Sequence, residues 1–339
     1  MSESPAISVI MPVYNGRAFI GRSLPPLIEM LRRGEALEVI VVDDASTDDT
    51  AVMAEELGAR VMPSGGRLGP GAARNKAAGE ARGGILWFVD ADVVAHDDAA
   101  LQLQRAFAEP GVTAVFGSYD DQPPAKNFLS QYKNLVHHFY HHRGRSEAST
   151  FWAGCGGVRK EAFLAAGGFD VARYTRPSIE DIELGYRLRA AGGRILLWPA
   201  LLGTHLKVWR LLNLLHTEVF CRAIPWSRLM LSQTGLLNDL NVGTAERLRA
   251  VVAGLFFASC VASLHPAVPG WIALAMLGAI AMANGSLLRL FYRRKGPLFA
   301  LGGLLFHQVY YLYSSAAFAW CWLESLPARS ATGRAPPPT

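Results

Sequence analysis

The segment Trp87-Phe88-Val89-Asp90-Ala91-Asp92-Val93-Val94 decides the fold, because a short apolar run ends there in two carboxylates one residue apart. Ile85–Val89 has the length and the β-branched and aromatic content of a buried parallel strand, and Gly83-Gly84 precedes it as a turn signal. Ligands of open α/β sheets bind at the carboxyl edge, so Asp90 and Asp92 are predicted to hold a hard cation that carries a phosphorylated ligand. A solvated turn is the alternative for an isolated Asp-x-Asp, since Asp favours turns.

Short apolar runs alternate with helical segments along the first ninety residues. Strands are predicted over residues 7–13, 37–42, 59–62 and 85–89. A helix is predicted over residues 19–31, where Pro25-Pro26 would bend or delay it. Ser46 and Asp49 have the spacing of a capping box, which predicts a second helix over residues 47–57. The alternation favours an α/β fold with a doubly wound, mostly parallel sheet.

Further polar features follow the other predicted strands. Asp43 and Asp44 come directly after the second strand, at its carboxyl end. The glycine-rich residues 63–71 precede a helix that contains Arg74. Glycines before a helix N-terminus leave amides free for an anion, and Arg74 can add a positive charge beside a diphosphate. Glycine-rich turns are common, so this loop alone is weak evidence for a phosphate site.

Taken together, these motifs resemble the successive nucleotide-sugar motifs of family 2 glycosyltransferases with the Rossmann-like GT-A fold. The similar stretches are residues 8–16, 39–50, 69–77, 88–93, 152–159, 167–170 and 180–188. They follow the family's order and cover about the first 210 residues. One departure is Arg17, since acidic residues often follow the Asn of this motif. The Gln-x-x-Arg-Trp signature of processive members is absent from the sequence, which disfavours polymer synthesis.

The resemblance implies a nucleotide diphosphate sugar donor and a divalent cation, Mn²⁺ or Mg²⁺, which neutralises the departing diphosphate. It implies Asp92 as a metal ligand, with Asp90 near the ribose and the metal. His205 is a further candidate ligand, because related enzymes place a metal-binding His where the catalytic domain ends and imidazole suits Mn²⁺. A structural histidine is the alternative. Donor-binding roles fall on Pro12, Tyr14, Asp43, Asp44, Gly71, Arg74 and Asp90, with Asp44 at the base and ribose.

The acceptor must be deprotonated or oriented opposite the leaving group, and Asp181 matches the general base of the family. Ser178 and Asp181 also have capping-box spacing, which offers a purely structural role. Glu180 is the neighbouring carboxylate that could act instead. A carboxylate near a helix N-terminus is stabilised in its charged form, as a proton acceptor needs. Trp152 can stack on a sugar or acceptor, or it can serve packing.

A histidine-rich segment covers residues 137–142. Helical spacing brings His137 near His141 and His138 near His142, which makes two possible two-ligand metal clips. Neither pair has an evident third ligand, so a zinc site is disfavoured. A helix that faces the acceptor or a membrane surface is the preferred interpretation.

The composition points to membrane contact, because 51% of the 339 residues are hydrophobic, only 18% are charged and the mean hydropathy is +0.18. Residues 206–246 interleave Trp and Leu with Lys and Arg, which predicts amphipathic interfacial helices broken at Pro225. Helices packed on the sheet are the alternative. Residues 250–288 contain no Asp, Glu, Lys or Arg. Two spans over residues 251–264 and 271–288, or one embedded hairpin, and a third span over 298–323 are predicted. A disordered tail is expected over residues 326–339.

Charge predicts the orientation. Basic residues flank the first two predicted spans at Arg247, Arg249, Arg289 and residues 293–295, so both flanks should be cytoplasmic. The catalytic domain is then expected on the cytoplasmic face of the inner membrane. Four widely spaced cysteines without a C-x-x-C pair suit a reduced compartment, and no cleavable signal is expected. The net charge of +5 suits an anionic membrane surface, and nucleic acid is not indicated.

The sequence therefore predicts a catalytic domain over residues 1–205, interfacial helices over 206–246, transmembrane helices over 247–325 and a tail. The predicted activity is a membrane-bound, metal-dependent, non-processive transfer of one sugar to a lipid or lipid-linked acceptor; inversion is implied by the resemblance alone. A polyprenyl-phosphate sugar transferase is the first alternative. A membrane-anchored sugar-nucleotide-binding protein with an inactive site is the second.

Overall fold

A computed structural model describes residues 6–144, 146–232 and 242–332. The chain forms two compact units, which divide between Val208 and Trp209. The first unit is an α/β domain and the second is helical. Each is described below by itself.

Strands and helices alternate in the first unit, as the apolar pattern predicts. The elements are β1 (Ile7–Val13), α1 (Arg17–Arg32), β2 (Glu38–Asp43), α2 (Thr50–Glu56), β3 (Arg60–Pro63), α3 (Pro70–Glu80), β4 (Ile85–Val89), β5 (Val93–Ala95), α4 (Ala99–Phe107), β6 (Val112–Tyr119), α5 (Phe128–Arg143), β7 (Glu147–Ala148), β8 (Cys155–Arg159), α6 (Lys160–Ala165), α7 (Glu180–Ala190) and β9 (Arg194–His205).

One mixed sheet joins these strands in the order β3-β2-β1-β4-β8-β6-β9-β5, and β7 pairs with β9. The first four strands are parallel, and β6 and β9 are parallel to each other. Within the described ranges β8 runs antiparallel between β4 and β6, and β5 and β7 run antiparallel to β9. The sheet is therefore mostly parallel, as predicted, with a mixed half that the sequence pattern does not reveal.

The sheet core forms around β4, which is completely buried. Phe88 packs against Phe151, Phe163 and Phe169, whose ring centroids lie 5.4–6.5 Å away. Burial of large aromatic rings is the strongest single stabilising contribution that such a strand can make. The packing fixes the end of β4 and thereby the position of Asp90 and Asp92.

Two local predictions are corrected. α1 runs without delay from Arg17 through Pro25 and Pro26, because Leu24 and Leu27 on this helix are buried and tertiary packing outweighs the backbone hydrogen bonds that proline removes. The helix predicted over residues 47–57 begins only at Thr50.

The capping box predicted for this second helix is also wrong. The Ser46 hydroxyl accepts the Asn15 amide at 2.9 Å, and the Asp49 carboxylate pairs with Arg17 at 2.6 Å. Both side chains are used in contacts with the loop after β1. Sequence spacing alone does not distinguish this arrangement from a helix cap.

The second unit contains α8 (Leu211–His216), a π-helical segment (Thr217–Ala223), α9 (Ile224–Ser232), α10 (Thr244–Ala262), α11 (Trp271–Ala283), α12 (Gly285–Lys295) and α13 (Pro297–Thr332). The predicted helix break at Pro225 is wrong, because this residue lies near the start of α9. The irregularity is the π-helical segment before it. The predicted interfacial stretch also includes residues 233–241, which lie outside the described residues. α13 extends through residues 326–332, which were predicted to be disordered, and residues 333–339 are outside the description.

Length and apolarity of the described helices give one candidate for a membrane crossing. No described helix is by itself both long and apolar enough to span a membrane. Taken together, α11 and α12 are long and apolar enough, although their axes bend by 81° at the break between them.

Buried polar groups hold this bend. The Tyr311 hydroxyl donates to Glu246 at 2.7 Å and lies 3.2 Å from the side-chain oxygen of Asn284, the residue between α11 and α12. Arg249 pairs with Glu246, and its Nε donates at 2.8 Å to the carbonyl oxygen of Ala283. Satisfied buried networks of this kind specify one geometry. The network joins α10 and α13 to the end of α11.

Candidate active site

The carboxyl edge of the sheet brings together the polar residues of the first unit. Asp90 follows β4, and its backbone amide donates to the Gly154 carbonyl oxygen at 3.1 Å. The Arg74 guanidinium lies 2.5 Å from an Asp90 carboxylate oxygen and 3.9 Å from a Glu180 carboxylate oxygen. Arg74 is only 4% exposed. A buried cation therefore links the end of β4 to the first turn of α7, and the predicted diphosphate contact of Arg74 remains a prediction.

Burial and neighbouring charge perturb the acids around Arg74. Burial and, to a lesser extent, the nearby Asp181 charge raise the pKa of Glu180 to about 7, against the opposing charge of Arg74. Burial also raises the pKa of Asp90, against the charge of Arg74, and the Asp92 charge adds to the increase. Clusters of perturbed carboxyl groups are typical of functional sites.

Asp92 and His205 face each other where β5 pairs with β9. Val93 and His205 are register partners, and the Leu206 amide donates to the Asp92 carbonyl oxygen at 2.8 Å. The distance from His205 Nε2 to Asp92 Oδ2 is 3.5 Å. Burial would raise the pKa of Asp92, but contact with His205 and the nearby Lys207 charge lower it. Asp92 is thereby kept ionised beside an imidazole nitrogen.

The donor atoms of this pair fit part of the coordination shell of Mn²⁺ or Mg²⁺. Two ligands about 2.1 Å from a metal and at right angles lie about 3 Å apart, close to the observed separation. Among residues 6–144, 146–232 and 242–332, no three His, Cys, Asp or Glu side chains form a complete metal site. Mg²⁺ sites often consist of one or two protein ligands plus substrate phosphates and water, so the pair suits a cation that arrives with the donor.

Asp181 lies beside this edge and is half-buried. Its Oδ2 accepts the Ala153 amide at 3.0 Å, and its Oδ1 accepts the Ile182 amide at 2.8 Å. The carboxylate that reaches back to the Ser178 amide is that of Glu180, at 2.8 Å. In the predicted capping box, Asp181 is therefore the wrong acidic partner for Ser178. α7 begins at Glu180, after Ile179.

Trp152 lies over the backbone of Gly154. A Cβ on Gly154 would stand 2.5–2.7 Å from three indole atoms, so only glycine leaves room for the ring. The ring centroid of Trp152 lies 4.9 Å from that of Tyr119 and 4.6 Å from that of His137. The indole is therefore held in one orientation beside the Ala153–Asp181 contact.

Tyr119 was not singled out in the sequence. Its ring stacks on the His205 imidazole with 4.3 Å between centroids and an interplanar angle of 8°. Tyr119 is the last residue of β6, and only the pairing of β6 with β9 brings it to this edge. The sequence signal is a tyrosine at the end of the largely apolar residues 112–119, and it is not specific.

The histidine-rich segment forms part of α5. His141 Nδ1 donates a hydrogen bond to the Gly117 carbonyl oxygen at 2.8 Å. Burial lowers the pKa of His141 to about 4. His137 and His141 pack on Trp152, with centroids 4.6 and 5.4 Å from the indole. The segment therefore packs on Trp152 and, in the described part of the chain, contributes to no group of three or more possible metal ligands.

Several residues predicted to bind the donor lie at the ends of β1 and β2. Asp44 is 5% exposed, and its two oxygens accept the amides of Leu68 and Gly69, both at 2.9 Å. Gly69 has φ +87°, a conformation that favours glycine. Asp44 thus holds the glycine-rich loop in place, and its predicted contacts with base and ribose remain predictions.

Other predicted donor residues border the same loop. Pro12 is buried in β1 beside Val42, whereas Tyr14 is 38% exposed and lies under the Arg67 guanidinium at 4.0 Å from the ring centroid. The Asp43 carboxylate accepts the Ser46 amide at 3.2 Å. Gly71 packs closely on the Phe169 side chain, where a Cβ would lie at 3.4 Å.

Sequence comparisons agree with this fold. Residues 8–165 match the family described as Glycosyl transferase family 2. Validoxylamine A glucosyltransferase from Streptomyces hygroscopicus subsp. limoneus is 29% identical over 237 residues, which cover 56% of this chain and 49% of that protein. MT1568 from Mycobacterium tuberculosis, a protein without an assigned function, is 38% identical over 115 residues, which cover 33% of this chain and 35% of that protein. The chain spans about half, or less, of the length of these relatives.

A solved structure shares the fold. Mannosyltransferase PcManGT from Pyrobaculum calidifontis, in complex with GDP-Man and Mn²⁺, aligns with a TM-score of 0.50 and 20% sequence identity. The alignment covers 94% of this chain and 88% of that chain. At this level of identity the likeness establishes the fold only.

Proposed function

We propose that this protein, whose residues 8–165 belong to glycosyl transferase family 2, transfers one sugar from a nucleotide diphosphate sugar to a lipid or lipid-linked acceptor. The observation that carries the proposal is the meeting of several ionisable groups at the carboxyl edge of one sheet. They are Arg74, Asp90, Asp92, Glu180, Asp181 and His205. Ligands of α/β sheets bind at this edge.

The donor is assigned to the side formed by β1, β2 and the loop that Asp44 holds. PcManGT carries GDP-Man and Mn²⁺, a ligand pair of the same chemical class. Asp92 and His205 would hold Mn²⁺ or Mg²⁺. That cation, when bound, neutralises charge on the diphosphate leaving group. The buried Arg74 keeps Asp90 oriented beside the pair.

Asp181 is the better general base of the two adjacent acids. Glu180 is 7% exposed and engaged by Arg74 and the Ser178 amide, whereas Asp181 is half-buried and fixed by the Ala153 amide. The proton of an acceptor hydroxyl passes to Asp181 while the acceptor oxygen bonds to the anomeric carbon and the bond to the diphosphate oxygen breaks. A fixed, ionised carboxylate within reach of the acceptor is what general-base catalysis requires.

A polyprenyl-phosphate acceptor is the second candidate. A phosphate oxygen is already ionised and would need no base, so this reaction depends less on Asp181. An inactive sugar-nucleotide-binding protein is disfavoured, because the carboxylates of Asp90, Asp92 and Asp181 are all retained at the edge. Donor hydrolysis by the purified protein distinguishes an active site from an inactive one.

Membrane attachment through the helical unit, with the catalytic unit on the cytoplasmic face, is part of the proposal. It is supported by the charge-free residues 250–288 and by the combined length and composition of α11 and α12. A cysteine at Ala267, between α10 and α11, tests the topology after replacement of the four native cysteines. Labelling by an impermeant reagent from outside the cell favours two spans, and protection of the position favours an embedded hairpin.

Ligand-dependent stability tests the donor. A thermal-shift screen of nucleoside diphosphates with and without Mn²⁺ should identify one base whose binding raises the melting temperature only with the metal. Ligand at 100 times its Kd stabilises the folded state by roughly 2.7 kcal/mol, which a melting experiment resolves readily. If no nucleoside diphosphate stabilises the protein at millimolar concentration, the proposed function fails.

A further inference from the structure

An apolar groove opens in the helical unit between α11, α12 and the start of α13. Its volume is about 500 Å³, within the range of small-molecule sites. Leucines from all three helices line it, and an arginine and a tyrosine of α12 stand among them: Leu277, Leu288, Leu301, Leu304, Arg289 and Tyr292. Leucine side chains offer favourable surroundings to hydrocarbon only.

We propose that this groove binds the hydrocarbon chain of a single-chain lipid phosphate, with the phosphate group at Arg289. One continuous apolar groove accommodates one chain. The groove lies within the helical unit.

Charge favours an anionic headgroup over a neutral one. The Arg289 side chain is exposed, and within the described ranges it makes no hydrogen bond or ion pair. No acidic residue is among the groove residues. Pro297, the first residue of α13, also lines the groove, so the positive end of that helix's dipole lies beside Arg289. An arginine binds phosphate through two parallel hydrogen bonds, which a neutral alcohol cannot match.

Buried polar contacts fix the shape of the groove. It lies on the 81° bend between α11 and α12, where the Tyr311 hydroxyl lies 3.2 Å from the side-chain oxygen of Asn284. Arg249 holds the last carbonyl group of α11 from the side of α10. A preformed site avoids the cost of ordering helices when the ligand arrives.

Two glycines provide a matched test of occupancy. A Cβ on Gly285, a groove residue, meets no atom within 4 Å, so a larger side chain there fills empty space without a clash. A Cβ on Gly278 of α11 also meets no atom within 4 Å, but Gly278 is not among the groove residues. Gly285→Leu should therefore block the groove, and Gly278→Leu should not.

The assignment of this lipid as acceptor rests on the proposed function, whereas its binding does not. Binding is measured here without any donor. If the groove does not bind lipid, the prediction of Mn²⁺-dependent nucleotide binding is unaffected. If no nucleoside diphosphate binds, the prediction of lipid binding is unaffected.

The experiment uses the full chain in nanodiscs of neutral phosphatidylcholine. The probe is hexadecyl phosphate that carries a photoreactive diazirine in its hydrocarbon chain. After irradiation, peptide mapping should find adducts within residues 277–304. Unlabelled hexadecyl phosphate should suppress them at a concentration roughly tenfold lower than hexadecanol, since a hydrogen bond to a charged group is worth about 1.5 kcal/mol or more. Inorganic phosphate should not suppress them.

Variants then identify the two halves of the site. Gly285→Leu should reduce the adduct yield at least fivefold, because the added side chain occupies the groove. Gly278→Leu should leave the yield unchanged. Arg289→Gln should remove the preference for hexadecyl phosphate over hexadecanol, and Arg293→Gln, outside the groove, should retain it. Arg289 is exposed, so this second pair gives an answer even if Gly285→Leu fails to fold.

Three results would overturn the proposal. Adducts spread evenly over α10 to α13 would indicate contact with bulk lipid only. Equal competition by hexadecanol would leave no role for phosphate. Equal competition by phosphatidylglycerol would assign the groove to a two-chain membrane lipid.

Discussion

Buried ionisable groups have different roles in the two units. In the first unit, Arg74 lies between Asp90 and Glu180 at the edge of a sheet, and the carboxyl groups around it have perturbed pKa values. In the second unit, Glu246 and Arg249 form a network with Tyr311 that holds a bend between helices. The first arrangement perturbs the protonation of carboxyl groups at the proposed active site, and the second holds the geometry of a helix bend. Substitutions in the first should change turnover, and those in the second should change stability.

The largest effect is expected at Asp92. Asp92→Ala removes the carboxylate that faces His205, so turnover should fall by roughly 10³-fold or more because several kcal/mol of charge stabilisation are lost. Mn²⁺-dependent nucleotide binding, measured by calorimetry, should be lost as well. Asp97→Ala changes an exposed carboxylate five residues away and serves as the control. Normal turnover by Asp92→Ala would remove the centre of the proposed site.

Asp181 is expected to rank next. Asp181→Asn should lower the rate by roughly 10²–10⁴-fold with donor binding preserved, since the proton acceptor is lost and the nucleotide side is unchanged. Single-turnover kinetics on a hydroxyl acceptor measures this. Glu180→Gln is the control, because it tests the adjacent carboxylate. If Asp181→Asn retains most activity toward a phosphate acceptor only, the polyprenyl-phosphate reaction becomes the first candidate.

Arg74 connects function to stability. Arg74→Met leaves the buried Glu180 and the partly exposed Asp90 without their cation, which should cost roughly 3–5 kcal/mol of unfolding free energy. Denaturant titration measures the loss. The exposed pair of Arg17 and Asp49 offers a contrast, since Arg17→Met should cost less than about 1 kcal/mol. Equal losses in the two variants would contradict the role assigned to Arg74.

The pKa of Glu180 predicts a pH dependence of stability. The folded protein holds this proton up to about pH 7, whereas the usual value is 4.5, so the unfolded chain releases it first. Stability should therefore fall as pH rises from 4.5 to 7, by at most about 3.4 kcal/mol for this group. Glu180→Gln should flatten this part of the stability profile in melts at several pH values. Glu161→Gln, at an exposed carboxyl group in the first turn of α6, should leave the profile as it is.

The smallest effect is expected in the helical unit. Tyr311→Phe removes the hydroxyl shared by Glu246 and Asn284 but leaves Glu246 with Arg249, so it should cost about 1–2 kcal/mol. A melting experiment in detergent detects this, and Tyr292→Phe at an exposed tyrosine is the control. A large loss of turnover in Tyr311→Phe, with an unchanged melting temperature, would contradict the division of roles between the units.

Much of the catalytic fold follows from local sequence. The β-branched runs and the acids after them predicted β1 to β4, and the motifs predicted the family that the comparisons confirm. Periodicity is informative there because parallel strands are buried on both faces. The roles of Asp44, Asp92 and His205 toward donor and metal stay predictions, as do the membrane spans and their orientation.

The failures have a common physical cause. Ser46 and Asp49 have the spacing of a cap, yet Asn15 and Arg17 from another segment use them instead. Tyr119 lies on His205 only because β6 and β9 pair. Local spacing cannot report which distant groups compete for a side chain. The structure is needed wherever the partner comes from another element.

The close fit of Trp152 over Gly154 has a consequence for how acceptor preference can evolve. A Cβ at position 154 would clash with the indole of Trp152, and a Cβ at position 185 would clash with the backbone of Phe151. Neither position therefore tolerates even alanine without a shift of its neighbours. His137 and His141 surround the indole with side chains only. If α5 faces the acceptor, as the sequence predicts, single mutations in α5 can explore new acceptors, whereas positions 154 and 185 must stay glycine. We expect libraries randomised at His137 and His141 to yield active variants far more often than libraries randomised at Gly154 and Gly185.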